Sequence, residues 1–184
     1  MCQDVLKCGV MSERAPGWRQ SGLVWWPLAA ATLLLDQVTK AVIEGSMALH
    51  QSIYVLPVFD IVRAHNPGAA FSFLADAGGW QRWGFTVFAI VVSAVILWTL
   101  RRSAVAGQRL QSAALMLIVS GALGNAIDRI RHGYVVDFIA VHWNDAYFPA
   151  FNVADSCISV GAGLILLDVL LQWLRDRRTA GGAA

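Results

Sequence analysis

The sequence predicts an all-α integral membrane protein: four transmembrane helices with a small β-containing region in the outward-facing loops. Three observations carry this expectation. With 57% hydrophobic and 14% charged residues in 184, the chain has too little polar surface to clothe a soluble globule of its size. Four apolar stretches are each long enough to cross about 30 Å of hydrocarbon, which takes roughly 20 residues. The cations, finally, are gathered at one side. The formal net charge of +2 is too small to point to a nucleic-acid partner, so lipid is the expected surrounding.

Residues 1–22 contain Asp4, Glu13, Pro16 and Gly17 and no apolar core of the kind a secretory signal needs; they read as a disordered cytoplasmic leader. The membrane domain follows at 23–174, with spans expected near Leu23 to Ile43, Trp83 to Leu100, Leu110 to Ile130 and Val153 to Leu174. Residues 175–184 form a short tail. Trp25, Trp26, Trp80, Trp83, Trp98 and Trp173 fall near the predicted span ends, where an amphipathic indole suits the headgroup layer. Cys2 and Cys8 lie in the leader and Cys157 in an apolar run, so no disulfide framework is implied.

Lys7, Arg14 and Arg19 precede the first span, Arg101, Arg102 and Arg109 join spans two and three, and Arg175, Arg177 and Arg178 follow the fourth. An even number of spans puts all nine on one side, and the positive-inside rule makes that side cytoplasmic. Residues 44–82 and 131–152 then face outward. In the first of these loops, Ile53 to Val62 is β-branched and aromatic around Pro57, which suggests a strand or hairpin. Ser120, Gly121 and Gly124, together with Ser159 and Gly163, are small residues suited to close helix packing.

Charged groups within a span cost at least about 2.5–3.5 kcal/mol each on insertion scales and usually mark function or pairing. Spans one and three run outward and carry Asp36 and Lys40, then Asn125, Asp128 and Arg129, near their outer ends; span four runs inward and carries Asp155 at its start. Asp137 lies in the connecting loop. Each group has a structural alternative. Asp36 and Lys40 have the i,i+4 spacing of an ion pair, and Asn125, Asp128 and Arg129 share a face and can satisfy one another. Asn152 and Asp155 have the spacing of a helix cap and a first-turn acid. Asp137 stands alone in the apolar run Tyr134 to Ile139, a poor setting for a merely solvated acid. Asp168 breaks the pattern near the cytoplasmic end of span four, within reach of an Arg such as Arg101 or Arg175.

His50, His65, His132 and His142 also fall on the outward side, but their spacings match no common metal-ligand pattern. Neither a metal nor another cofactor is expected. Ser72 and Ser156 lack a nucleophile motif.

Five separated blocks then resemble the lipoprotein signal peptidases, or signal peptidase II: Asp36-Gln37-Val38-Thr39-Lys40, Asn66-Pro67-Gly68-Ala69-Ala70-Phe71-Ser72, Gly124-Asn125-Ala126-Ile127-Asp128-Arg129, Val135-Val136-Asp137-Phe138 and Phe151-Asn152-Val153-Ala154-Asp155. The resemblance spans about residues 23–174. It implies an aspartic endopeptidase of the bacterial inner membrane that cuts prolipoproteins just before a diacylglyceryl-modified cysteine, with those prolipoproteins and membrane lipid as its partners. Asp137 and Asp155 would be the catalytic dyad. Asn66, Asn125, Arg129 and Asn152 would bind substrate or organise the site, with Asp36, Lys40 and Asp128 supporting it. A small proton-coupled transporter is the main rival reading, since intramembrane acids also serve proton relays, but a relay calls for acids on both leaflets. A membrane scaffold held together by its polar cluster is the other.

Overall fold

The computed structural model describes residues 16–68, 79–144 and 146–181, with side chains described as far as Arg177. Four long helices, α1 (Trp26–Ser46), α2 (Trp80–Arg102), α3 (Arg109–His132) and α4 (Val153–Gly181), carry a four-stranded sheet at one end. Its strands are β1 (Ser52–Leu56), β2 (Phe59–Asn66), β3 (Val135–Trp143) and β4 (Ala146–Tyr147), all antiparallel in the order β1-β2-β3-β4.

The helices match the four expected stretches, with shifts at their ends that have local causes. The first starts at Trp26 rather than Leu23 because Gly22–Trp25 winds as a 3-10 turn and Pro27 then sits in the first helical turn, where its missing N–H costs nothing. Residues 16–22, expected to belong to a disordered leader, are ordered: the amide of Gly22 donates to Ser103 O and that of Val105 to Gln20 O. Residues 1–15 lie outside the described residues. At the other end, α4 runs on through the expected tail to Gly181.

Helices α2, α3 and α4 are long and apolar enough to cross a membrane. Helix α1 has the length, but Asp36, Gln37, Lys40 and Glu44 lower its apolar content. The surfaces of α1, α2 and α4 nevertheless suit lipid: Leu34, Leu35 and Val42 on α1, Phe88 and Val95 on α2, and Leu166 and Val169 on α4 are all exposed. Trp26, Trp80, Trp83, Trp98 and Trp173 are exposed toward the helix ends, as an aromatic belt requires.

Helix α3 is the hub. It runs parallel to α1 in fixed register, since Thr32 meets Ser120, Asp36 meets Gly124 and Lys40 meets Asp128. It runs antiparallel to α4, with Gly121 beside Ala154 and Ile158 and Ala114 beside Gly161. A Cβ on Gly121 would collide with the Ala154 carbonyl, and one on Gly161 would lie 2.6 Å from the Ala114 carbonyl. Close backbone approach is therefore the reason for glycine at both positions. The expected small pair on α4 needs correction: Gly163 has open space around it, Ser159 is exposed, and Gly161 makes the contact instead.

The expected hairpin is present, turning at Pro57 and Val58 between Leu56 and Phe59. The sheet also takes in residues 131–152, expected as an outward loop, which supply β3 and β4. Gly133, with φ 89°, closes α3 in the left-handed conformation that glycine adopts freely. The chain then reverses into β3, which pairs with β2 so that Ala64 faces Asp137 and Asn66 faces Val135. Val135, Val136, Asp137 and Phe138 are all buried, so this stretch is covered on both sides and lacks the polar alternation of a half-exposed strand.

Replacing Gly121 with Val should force α4 off α3 and lower stability by about 1–3 kcal/mol, seen as a reduced thermal midpoint in detergent. Gly163→Ala, facing open space, should leave that midpoint within error of the parent.

Candidate active site

The parallel register of α1 and α3 brings Lys40 between two acids. Its Nζ lies 2.9 Å from Asp36 Oδ2, 2.8 Å from Asp128 Oδ2 and 3.0 Å from Asn125 Oδ1. Lys40 is 3% exposed, Asp36 1% and Asp128 3%. At that depth only a fully partnered charge is tolerable. Gln37 completes the cluster by donating to Asp36 Oδ2 at 3.2 Å, Asp128 Oδ1 at 3.1 Å and Gly124 O at 3.3 Å. The i,i+4 pair of Asp36 and Lys40 is thus real. The alternative pair that spacing allowed between Asp128 and Arg129 does not form: Asp128 turns to Lys40, and Arg129 to Gly68 O.

The same acids hold the next two elements. Asp36 Oδ1 accepts from the amide of Ala154 in the first turn of α4 at 2.8 Å. Asp128 Oδ2 accepts from the amide of Val136 on β3 at 3.3 Å. One carboxylate therefore places the residue before Asp155, and the other the residue before Asp137. Gln37, not singled out beyond its motif, belongs to this support, and so does Gly124, expected to serve helix packing; a Cβ on Gly124 would stand 2.7 Å from Asp36 Oδ2.

Above this layer sit the two remaining acids. Asp137 Oδ1 accepts from Asn152 Nδ2 at 2.7 Å and Oδ2 from Asn66 Nδ2 at 3.0 Å. Asp155 Oδ1 accepts from Asn125 Nδ2 at 2.8 Å, and Oδ2 from the Asn152 amide at 3.3 Å. Asn152 Oδ1 in turn accepts from the Asp155 amide at 2.9 Å, a reciprocal helix cap. Capping and site-building are one act here, because the same Asn152 side chain reaches Asp137. The cap read from the spacing of Asn152 and Asp155 is present, and the same side chain also reaches Asp137.

Asp137 is 2% exposed. Burial, and then the nearby charge of Asp155, push its carboxyl up to about 7 against the donors Asn66 and Asn152. Asp155 lines a cavity of about 680 Å³ between α2, α3, α4 and residues 148–151, whose walls include Phe85, Phe88, Val92, Ile118, Ile158 and Phe151. Asn66, Asn125 and Arg129 are the polar groups that share it with Asp155 and two serines. Arg129 Nη2 donates to Gly68 O at 2.7 Å, its guanidinium lies 5.4 Å from the Phe85 ring, and its Nε is unpartnered among the described residues. Gly68 N donates to Asn66 Oδ1 at 3.0 Å. The rest of that motif, residues 69–72, lies outside the described residues.

The histidines stand apart from the two acids. His65 stacks on Tyr134 with ring centroids 3.7 Å apart, and burial and Arg63 lower its pKa. His132 lies 3.9 Å from Glu44, and His142 stacks on Tyr147. Among the described residues, no three His, Cys, Asp or Glu side chains gather as metal ligands. Asp168, expected near an Arg, accepts from Gln172 one turn on at 2.7 Å.

Lys40→Met should strip two buried carboxylates of their shared cation, a loss of about 3–5 kcal/mol. The expected readout is a large drop in the folded fraction recovered from membranes, with Asp36→Asn intermediate.

Known proteins resemble this chain over most of its length. A family model described as signal peptidase (SPase) II matches residues 28–171. A lipoprotein signal peptidase of Shewanella pealeana is 48% identical over 164 residues, covering 89% of this chain and 96% of the relative. One from Alteromonas mediterranea is 49% identical over 152 residues, covering 83% of each. A solved bacterial membrane enzyme superposes with a TM-score of 0.71 at 32% identity, covering 80% of this chain and 87% of that one. The chain belongs to the signal peptidase II family.

Proposed function

We propose that this protein removes the signal peptide from prolipoproteins by aspartic catalysis, with Asp137 and Asp155 as the dyad and the cut made just before a diacylglyceryl-modified cysteine. Membership of the family and relatives named lipoprotein signal peptidase support the reaction, and they give no support to a transporter. The observation that carries the dyad is Asn152, which binds both carboxyls at the head of an apolar cavity.

Peptide hydrolysis without a covalent intermediate needs a base to take a proton from water and an acid to protonate the departing nitrogen. Two neighbouring carboxyls that cannot both ionise cheaply supply the two together by holding one proton between them. The pair titrates as a unit. Water attacks the carbonyl carbon as one carboxylate takes its proton; the protonated carboxyl then delivers its own to the amine as the C–N bond breaks. Asn66, Asn125, Asn152 and Arg129 hold the peptide and the developing oxygen charge, while Asp36, Lys40 and Asp128 keep those groups in place. The apolar cavity suits the acyl chains and the apolar part of the signal peptide.

Membrane placement follows the same reading. Helix α1 crosses the bilayer with the other three, hiding its charges against α3. Arg19, Arg101, Arg102 and Arg109 lie at the end away from the sheet, and by the positive-inside rule this supports a reading with both termini in the cytoplasm and the site near the periplasmic face of the inner membrane.

Asp137→Asn and Asp155→Asn should each abolish release of signal peptide from a purified diacylated prolipoprotein while the variants still fold in the membrane; full turnover by either would refute the dyad. Because Asp137 keeps its proton up to about 7, raising the pH above that value removes the shared proton and leaves no acid for the leaving group. The cleavage rate should therefore fall by roughly tenfold per unit above the transition. A rate unchanged between pH 6 and pH 9 would contradict the shared proton.

A further inference from the structure

Strands β2 and β3 do not keep one register along their length. Phe59 faces Val141 and Ile61 faces Ile139, so regular pairing would set Ala64 opposite Val136; Ala64 faces Asp137 instead, His65 faces Val136 and Asn66 faces Val135. One extra residue on β2 between Ile61 and Ala64 makes the difference, as in a β-bulge. Arg63, at that irregularity, is tied to the end of α1 through Nη1, which donates to Glu44 O at 3.0 Å and Met47 O at 2.8 Å. The contact between Asn66 Nδ2 and Asp137 Oδ2, 3.0 Å long, exists only in the displaced register. A slip back by one residue would turn the Asn66 side chain to the opposite face of the sheet from Asp137.

We propose that His65 and Tyr134 are a positioning pair: their stack locks the displaced register and thereby keeps Asn66 on Asp137. The two rings lie 3.7 Å apart and within 15° of parallel. His65 stands opposite Val136 and so diagonal to Tyr134, just as Asn66 stands opposite Val135 and diagonal to Asp137; diagonal neighbours of this kind are within reach of ring side chains. One diagonal pair lies on each face of the sheet, a single residue apart. In the slipped register His65 would face Val135, on the side of Asp137, and the stack would be lost. Tyr134 is itself seated, packing with Val136 and Phe138 against Ile43 and Met47 at the end of α1. Burial, Arg63, His50 and His132 lower the pKa of His65 against the opposing charge of Glu44, so its ring is neutral at neutral pH and free to lie flat on the phenol.

The assignment rests on the peptidase reading, and the test separates the two. With purified enzyme and a diacylated prolipoprotein, His65→Leu and Tyr134→Leu should each lower kcat about tenfold, and Tyr134→Phe, which keeps the ring, should restore it. Asn66 is one of the groups that hold the Asp137 carboxyl down against burial and Asp155, beside Asn152 and the charge of Lys40. Without that contact Asp137 keeps its proton to a higher pH, so the fall of rate with rising pH should begin later in both leucine variants, as in Asn66→Ala. Adding Tyr134→Leu to Asn66→Ala should cost little more than Asn66→Ala alone, because the two act through one contact. Parent kcat in both leucine variants, a fall that begins at the parent's pH, or a Tyr134→Leu loss of full size in the Asn66→Ala background would overturn the positioning role. Should Tyr134→Leu not fold, His65→Leu, which leaves Tyr134 on its apolar cluster, carries the same test. Failure of the unaltered enzyme to release any signal peptide from that substrate would overturn the peptidase reading itself.

Discussion

A single buried ammonium organises this molecule. Lys40 sits between Asp36 and Asp128 at hydrogen-bonding distance from both, at a depth where none of the three charges is tolerable without the others. The arrangement requires α1 and α3 to be parallel and in one register. Once that register is set, the remaining lone pairs of the two carboxylates select what may pack above them: an amide at the start of α4 and an amide on β3. A charge cluster that taken alone would be an expense to the fold thereby acts as a jig for the two elements that carry Asp155 and Asp137.

The layering divides roles among similar side chains. Four acids lie close together, yet they differ in what faces them. Asp36 and Asp128 meet a cation and amide donors and are closed to the outside. Asp137 and Asp155 meet neutral amide side chains instead, and one of them borders a cavity. Neutral donors orient a carboxyl without supplying a full compensating charge, so burial and the nearby charge of Asp155 still push the Asp137 carboxyl up. The asparagines thus act as spacers as well as ligands. Asn152 shows this most clearly, since one side chain caps α4 and fixes the distance between two elements.

The membrane explains why so small a protein supports such a site. Apolar side chains on the outer faces of the helices need no protein partner in lipid, so the interior can be given over to polar contacts and to close backbone packing at Gly121, Gly124 and Gly161. The sheet then closes the polar end. It is an extension of the helices, because each of its central strands is bonded to a side chain or backbone group from the bundle.

Much of this was legible in the residues themselves. Hydrophobic length gave the four helices and their alternating direction, and this delivered Asp36, Asn125, Asp128, Arg129 and Asp155 to one end. Those are properties of composition and one-dimensional order, which lipid and water read directly. Partnership was not legible. Spacing allowed Asp128 to pair with Arg129, but the cation that reaches it comes from another helix. It allowed Asn152 to cap α4, and the fold brings the same side chain to Asp137 as well. Strand β3 was hidden because its first four residues, Val135 to Phe138, are buried on both sides and carry no alternating pattern, and Gly161 because nothing in its own helix distinguishes it from Gly163. Which groups meet, and which cavity they face, depends on distances between elements remote in sequence, and only packing in three dimensions sets those.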